Sequence, residues 1–172
     1  SLYNRKISSQ LSLRTGFVWN SLNYNYFAEM ADSAQVLATH LNSEGKTNLL
    51  QTFGQGKFSF SDQFLVTAGL HYAYFQQNRD HSLEPRLAMQ LKLPNRQKLS
   101  FGFGLHSKHE KLPVYFVEQQ SPIGEIYMPN LSLQMTRSIH YVASYDLLFG
   151  NNLNLKVEAY YQDINKLVVS DN

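Results

Sequence analysis

The stretch Leu83–Phe116, LEPRLAMQLKLPNRQKLSFGFGLHSKHEKLPVYF, decides the fold. It predicts two β-strands joined by the tight turn Pro94-Asn95-Arg96-Gln97. On the first strand Pro85, Leu87, Met89, Leu91 and Leu93 share one face, and Arg86, Ala88, Gln90 and Lys92 share the other. On the second, Leu99, Phe101, Phe103 and Leu105 oppose Ser100, Gly102, Gly104 and His106. Side chains on a strand repeat with a period of two, so each strand shows one apolar and one wet face. A soluble β-sandwich gives this pattern, and so does the wall of a membrane barrel with lipid outside and water inside.

Composition narrows the choice. The 172 residues (19.8 kDa) have room for one domain or for a piece of something larger. Charged residues are 16% of the chain, low against the usual quarter, while aromatics reach 13% with 11 Tyr and 11 Phe. That balance suits an aromatic-rich β protein. A formal net charge of +2, with no basic run, gives no footing for a nucleic-acid partner. The absence of cysteine excludes disulfides, thiolate catalysis and cysteine metal sites. No window approaches the ~18 apolar residues of a transmembrane helix. The mean hydropathy of −0.35 does not argue against a barrel, whose strands face a polar lumen at every second residue. The opening SLYNRKISSQ has no signal-peptide core, and the expectation is that the front of the protein is missing.

Seven strands are expected along the chain, joined as an antiparallel up-and-down meander. Besides the central pair they run about Lys6–Met30, Asn48–Ser61, Phe64–Asn78, Ser138–Phe149 and Leu153–Leu167. The first carries Leu11, Leu13, Thr15, Phe17 and Trp19 on one face; the sixth carries Ile139, Tyr141, Ala143, Tyr145 and Leu147. Ser61-Asp62-Gln63, Pro94–Gln97 and Gly150-Asn151-Asn152 read as tight turns. Ala31–Thr47, Arg79–Ser82 and Lys108–Asn130 read as longer or more variable links, with a helical turn or two predicted within Ala31–Leu41. Short connections at one end and long ones at the other are a barrel habit.

Five segments carry a resemblance: LSLRTGFVWNSLNYNYF, FLVTAGLHYAYF, SLEPRLAMQLKLPNRQKLSFGFGLHSKHEKLPVYF, RSIHYVASYDLLFG and LNLKVEAYYQDINKLVV. Together they resemble the β-barrel of TonB-dependent outer-membrane receptors of the Bacteroidetes type, over roughly Leu11–Val169. The resemblance implies a barrel of 22 strands in the Gram-negative outer membrane, of which residues 1–172 are a single middle-to-late segment of about seven. It implies a transporter for a scarce nutrient (metal chelate, oligosaccharide or peptide), not an enzyme, and no cofactor. Its implied partners are outer-membrane lipid, the plug domain of the same parent chain, the TonB complex reached through the N-terminal part, and a surface lipoprotein. No plug, TonB box or terminal aromatic strand is recognisable in the sequence. A soluble β-sandwich binding module and a passive porin-like channel are the alternatives.

No catalytic, cofactor-binding or metal-binding residue is assigned, and the ligand-binding residues are unknown. The best metal candidate, His106-Ser107-Lys108-His109-Glu110, fails because His106 and His109 on one extended strand point to opposite faces. Asp80-His81 with Glu84 reads as a short outer hairpin. No phosphate loop, nucleophile elbow or dinucleotide fingerprint occurs. Gly54-Gln55-Gly56 and Gly102-Phe103-Gly104 are expected to face the lumen, where small residues let a plug approach closely. Arg14, Lys57, His71, Arg86, Lys92, His106, His140, Asp146, Lys156 and Glu158 form a mixed, mostly basic inward row. Trp19, Tyr72, Tyr74, Tyr141, Tyr145, Tyr160 and Tyr161 are expected in an interfacial aromatic girdle.

Overall fold

The alternating stretches pair into one antiparallel sheet in a computed structural model that describes residues 1–31, 37–150 and 153–166. Among these residues eight strands follow one another: β1 (Leu2–Lys6), β2 (Leu11–Ala31), β3 (Leu37–Ser59), β4 (Phe64–Phe75), β5 (Asp80–Leu93), β6 (Gln97–Lys108), β9 (Thr136–Phe149) and β10 (Leu153–Asn165). Each pairs with its neighbour in chain order, so the sheet is an up-and-down meander. Between β6 and β9 lies a long connection holding a one-turn helix α1 (Leu112–Tyr115), a small ribbon of β7 (Gln119–Gln120) and β8 (Ile126–Tyr127), and a 3-10 turn at Pro129–Ser132. No second sheet covers the apolar face among the described residues.

Several boundaries differ from those predicted. The first expected strand begins only at Leu11, and β1 ahead of it is an eighth strand beyond the seven expected; Ser8 turns the chain between them, its Oγ accepting the N–H groups of Gln10 and Leu11 at 3.2 and 3.0 Å. The expected loop Ala31–Thr47 is largely strand, since residues 37–47 pair with β2 as far as Leu22↔Thr47. The predicted helical turn therefore fails at 37–41, and the rest of it falls at residues 32–36, outside the described residues. Asn151 and Asn152 of the last predicted turn also lie outside them. The turn at Pro94–Gln97 forms as expected. Asn95 and Arg96 both take positive φ (58° and 57°), the mirror-image geometry that matches strand twist. Arg96 holds this left-handed position by donating to the Gly150 carbonyl at 2.6 Å.

Register decides the faces. Leu13, Gly56, Ala68, Leu87, Phe103, Tyr141 and Tyr161 form one cross-strand row. Next to it on the opposite side run Arg14, Gln55, Gly69, Arg86, Gly104, His140 and Gln162. The first face is apolar yet open: Trp19, Leu70, Leu83, Phe101, Val157 and Tyr161 are all exposed large hydrophobics. Along β2 it stays apolar from Leu11 to Trp19, about 26 Å of strand at ~3.3 Å per residue, close to the ~25 Å apolar band of a membrane barrel once tilt is allowed for. Beyond Trp19 the faces exchange character. Asn23, Asn25, Lys46 and Glu44 now occupy the formerly apolar side, while Leu22, Tyr24 and Tyr26 turn to the polar side.

That local inversion locates the core. The long connection after β6 folds onto the polar side of β2–β4, and Ala73, Phe75, Leu112, Tyr115, Phe116 and Met135 bury one another there. Phe116 stacks on Tyr24 at 4.6 Å, and Phe75 lies 5.6 Å from Tyr115. Polar ties fix the segment: Asp80 accepts the Met135 N–H at 2.6 Å, Asn130 donates to the Val114 carbonyl at 3.0 Å, and Asn78 donates to the Leu133 carbonyl. The connection is thus a docked shelf over one end of the polar face.

Candidate functional site

All ten residues of the expected inward row share the polar face. What pairing adds is a focus. The β5–β6 ladder stops at Arg86↔Gly104, because the next residue, Pro85, has no N–H to give. Glu84 fills the gap with its side chain. Its Oε1 accepts the Ser107 N–H at 3.1 Å and also the Ser107 hydroxyl. Its Oε2 meets the Arg86 guanidinium at 2.8 Å and His71 Nδ1 at 3.0 Å. The carboxylate is only 3% exposed. A buried charge of this kind persists when it is paired and its lone pairs are used.

Beside this knot lies a second polar chain. The His106 and His140 rings meet edge to face at 4.8 Å. Ser138 Oγ bonds His140 Nε2 at 2.7 Å, His140 Nδ1 bonds the Tyr160 hydroxyl at 2.5 Å, and that hydroxyl donates to Gln162 at 2.8 Å. One proton arrangement satisfies all three: Ser138 donates to Nε2, and Nδ1–H donates to Tyr160. Gly104 makes room for it, since a Cβ there would stand 2.9 Å from His106 Nε2. A recess of about 370 Å³ runs across this face from Gln55 to Tyr160, walled by Arg86, His106 and His140 over a floor that includes Gly69 and Gly102. It offers hydrogen-bond donors, acceptors and a partly neutralised cation. Such a surface holds polar ligands or polypeptide by hydrogen bonds.

The other candidates fall out as follows. His109 lies past the end of β6, where the chain has turned, so the expectation of opposite faces does not apply. Its ring stacks on Phe75 at 4.6 Å, while His106 faces His140. Among the described residues no group of three or more His, Cys, Asp or Glu is placed to hold a metal ion. Asp80, His81 and Glu84 do not act together: Asp80 anchors Met135, His81 lies against Tyr72, and Glu84 is in the knot. Gly102 and Gly104 face the polar side as expected, but Gly54 and Gly56 do not. They pair with Thr15 and Leu13 on the apolar face, because Phe53 and Gln55 take the polar positions. Tyr160 also leaves the expected girdle for the polar face, while Tyr72, Tyr74, Tyr141, Tyr145 and Tyr161 stay on the apolar side. Glu84 and Ser107 went unrecognised as partners from sequence. A carboxylate next to a proline inside a strand was the available signal.

An eight-stranded meander with one open apolar face and one polar face is the wall of a transmembrane β-barrel in outline. The chain matches the family described as TonB dependent receptor-like, beta-barrel, over residues 2–172, and it belongs to that family. Barrels of this family are transporters of the Gram-negative outer membrane and associate with a plug domain and with TonB. The comparison with curated proteins finds none that matches.

Proposed function

We propose that this chain is one segment of the barrel of a Bacteroidetes-type TonB-dependent transporter, and that it lines the import path of a scarce nutrient such as a metal chelate, an oligosaccharide or a peptide. The observation that carries this reading is the pairing of faces: exposed Leu, Phe, Tyr and Trp on one side, and on the other the Glu84 knot, the His106–His140–Tyr160 chain and the recess they wall. The apolar face meets outer-membrane lipid. The polar face meets the plug of the parent chain and the passing solute, and the coupling to TonB runs through the parent's N-terminal part. The docked shelf at Leu112–Met135 lies at the end with the long connection, which is the outer one, where a surface lipoprotein would meet it. The chain supplies passage and recognition and no covalent chemistry.

The parent receptor in its own outer membrane tests this. A tag inserted at Gly124, in the turn of the β7–β8 ribbon, is expected to be reached on intact cells, and one at Asn95 only after the membrane is opened. Substrate uptake is expected to stop when the proton-motive force is collapsed or TonB is removed. Uptake that continues in either case would assign the barrel to passive diffusion instead, and surface labelling of the Asn95 tag would reverse the topology.

A further inference from the structure

The apolar face carries a groove. Phe17 on β2, Leu50, Gln51 and Thr52 on β3, and Tyr72 and Tyr74 on β4 line an open depression of about 520 Å³. Register puts Phe17, Thr52 and Tyr72 in one row and Trp19, Leu50 and Tyr74 in the next. Thr52 is the short residue between two rings, so the surface drops there, and its hydroxyl already donates to the Gly16 carbonyl at 3.2 Å. The next outward position along β3 is Gly54. A Cβ at Gly54 would meet nothing nearer than Thr15 Cγ2 at 3.9 Å. Packing within the chain therefore does not require glycine at this position, and a strand interior disfavours it. Gly56 differs, because the Phe58 ring lies over it and would stand 2.9 Å from a Cβ. The groove ends where the face turns polar: Trp19 Nε1–H donates to Asn48 at 2.9 Å, and the Asn48 amide donates to Gln76 at 2.5 Å.

We propose that this groove seats one acyl chain of a membrane lipid, lying along β3 from the Trp19–Asn48 boundary over Thr52 and Gly54. The inference rests on the reading of the apolar face as membrane-facing, and the groove is continuous with that face on every side but the polar end. Its width selects the occupant. The axes of β2 and β4 lie about 10 Å apart, and rings lean in from both, whereas a helix with its side chains needs ~10–12 Å. A polymethylene chain fits that slot and a helix does not. Aromatic rims hold such a chain by area, and the Thr52 hydroxyl between them is already engaged with the Gly16 carbonyl.

The intact receptor carries the test, reconstituted in nanodiscs containing a phospholipid with a photoactivatable acyl chain. After illumination, adducts are expected on Leu50–Gly54 and Tyr72–Tyr74 several-fold above those on Phe101–Phe103 and Tyr141–Ala143 of the same face. Thr52→Leu, and Thr52→Leu with Gly54→Leu, fill the groove and are expected to bring its labelling down to the level of the rest. Ala143→Leu, on the same face outside the groove, is expected to leave the pattern unchanged. Heat-modifiability on gels confirms that each variant is folded. Equal labelling across the apolar face, or undiminished groove labelling in folded Thr52→Leu, would overturn the acyl-chain site and leave the membrane-facing reading standing. No acyl adduct anywhere on that face would remove both.

Discussion

Glu84 closes the sheet where Pro85 opens it, so Glu84→Ala is expected to be among the costliest single changes on the polar face. The substitution leaves the Ser107 N–H and hydroxyl without their acceptor. Bonds to a charged acceptor contribute about 1.5–3 kcal/mol each, and two are lost. Arg86 is 46% exposed and can rehydrate, so its pair with Glu84 adds only about 0–1 kcal/mol. Together these come to ~3–7 kcal/mol, a range that contains the ~3–5 kcal/mol of breaking a buried ion pair by removing one partner. Glu84→Gln keeps an acceptor for Ser107 but turns its amide toward the Arg86 guanidinium, and about 2 kcal/mol is expected. Urea titration of the intact barrel refolded into lipid vesicles measures both, with heat-modifiability as the check for closure. A Glu84→Ala loss below about 1 kcal/mol would refute the idea that this carboxylate replaces the missing ladder.

Arginine at Phe103, on the apolar row, is expected to cost ~2–4 kcal/mol near the midplane, while Gly102→Ser on the opposite face, where a Cβ would meet only Val142 at 3.9 Å, should stay within about 0.5 kcal/mol; equal costs in the same titration would mean that the faces are assigned wrongly. Cut from its barrel, the segment has open edges at β1 and β10 and an uncovered apolar face, features that drive association, so sedimentation in plain buffer should show aggregates or oligomers, and a compact monomer would argue for a soluble sheet. Burial holds the Tyr115 phenol above its ordinary value, so the shelf gains stability that is whole below a phenol's usual pKa near 10 and is lost as pH rises through the higher folded value. Proteolysis within residues 109–135 of the intact receptor should therefore increase only in strong alkali, and an onset below that range would show that Tyr115 is not buried in the protein.

Much of this was legible in the alternation itself. A strand's side chains must alternate, so Leu87, Met89 and Leu91 against Arg86, Ala88 and Gln90 fixed the sheet, its faces and the inward row without reference to any partner. Gly54 and Gly56 show the limit of that reading. The Asn48–Ser61 stretch alternates poorly, and only its pairing with Leu13 and Thr15 tells which parity lies on the apolar face. The shelf was illegible for a similar reason. Tyr24, Phe75 and Tyr115 are far apart in sequence, and the exchange of polarity beyond Trp19 reads as noise until a loop is seen to cover it. Local sequence determined that this chain is alternating antiparallel strand with tight turns, since φ/ψ preference and period are properties of neighbours along the chain. Tertiary structure alone decided that Glu84 meets Ser107, that His106 meets His140 and that Thr52 floors a groove. Those contacts depend on the register between strands, which hydrogen bonds and packing across the sheet set together.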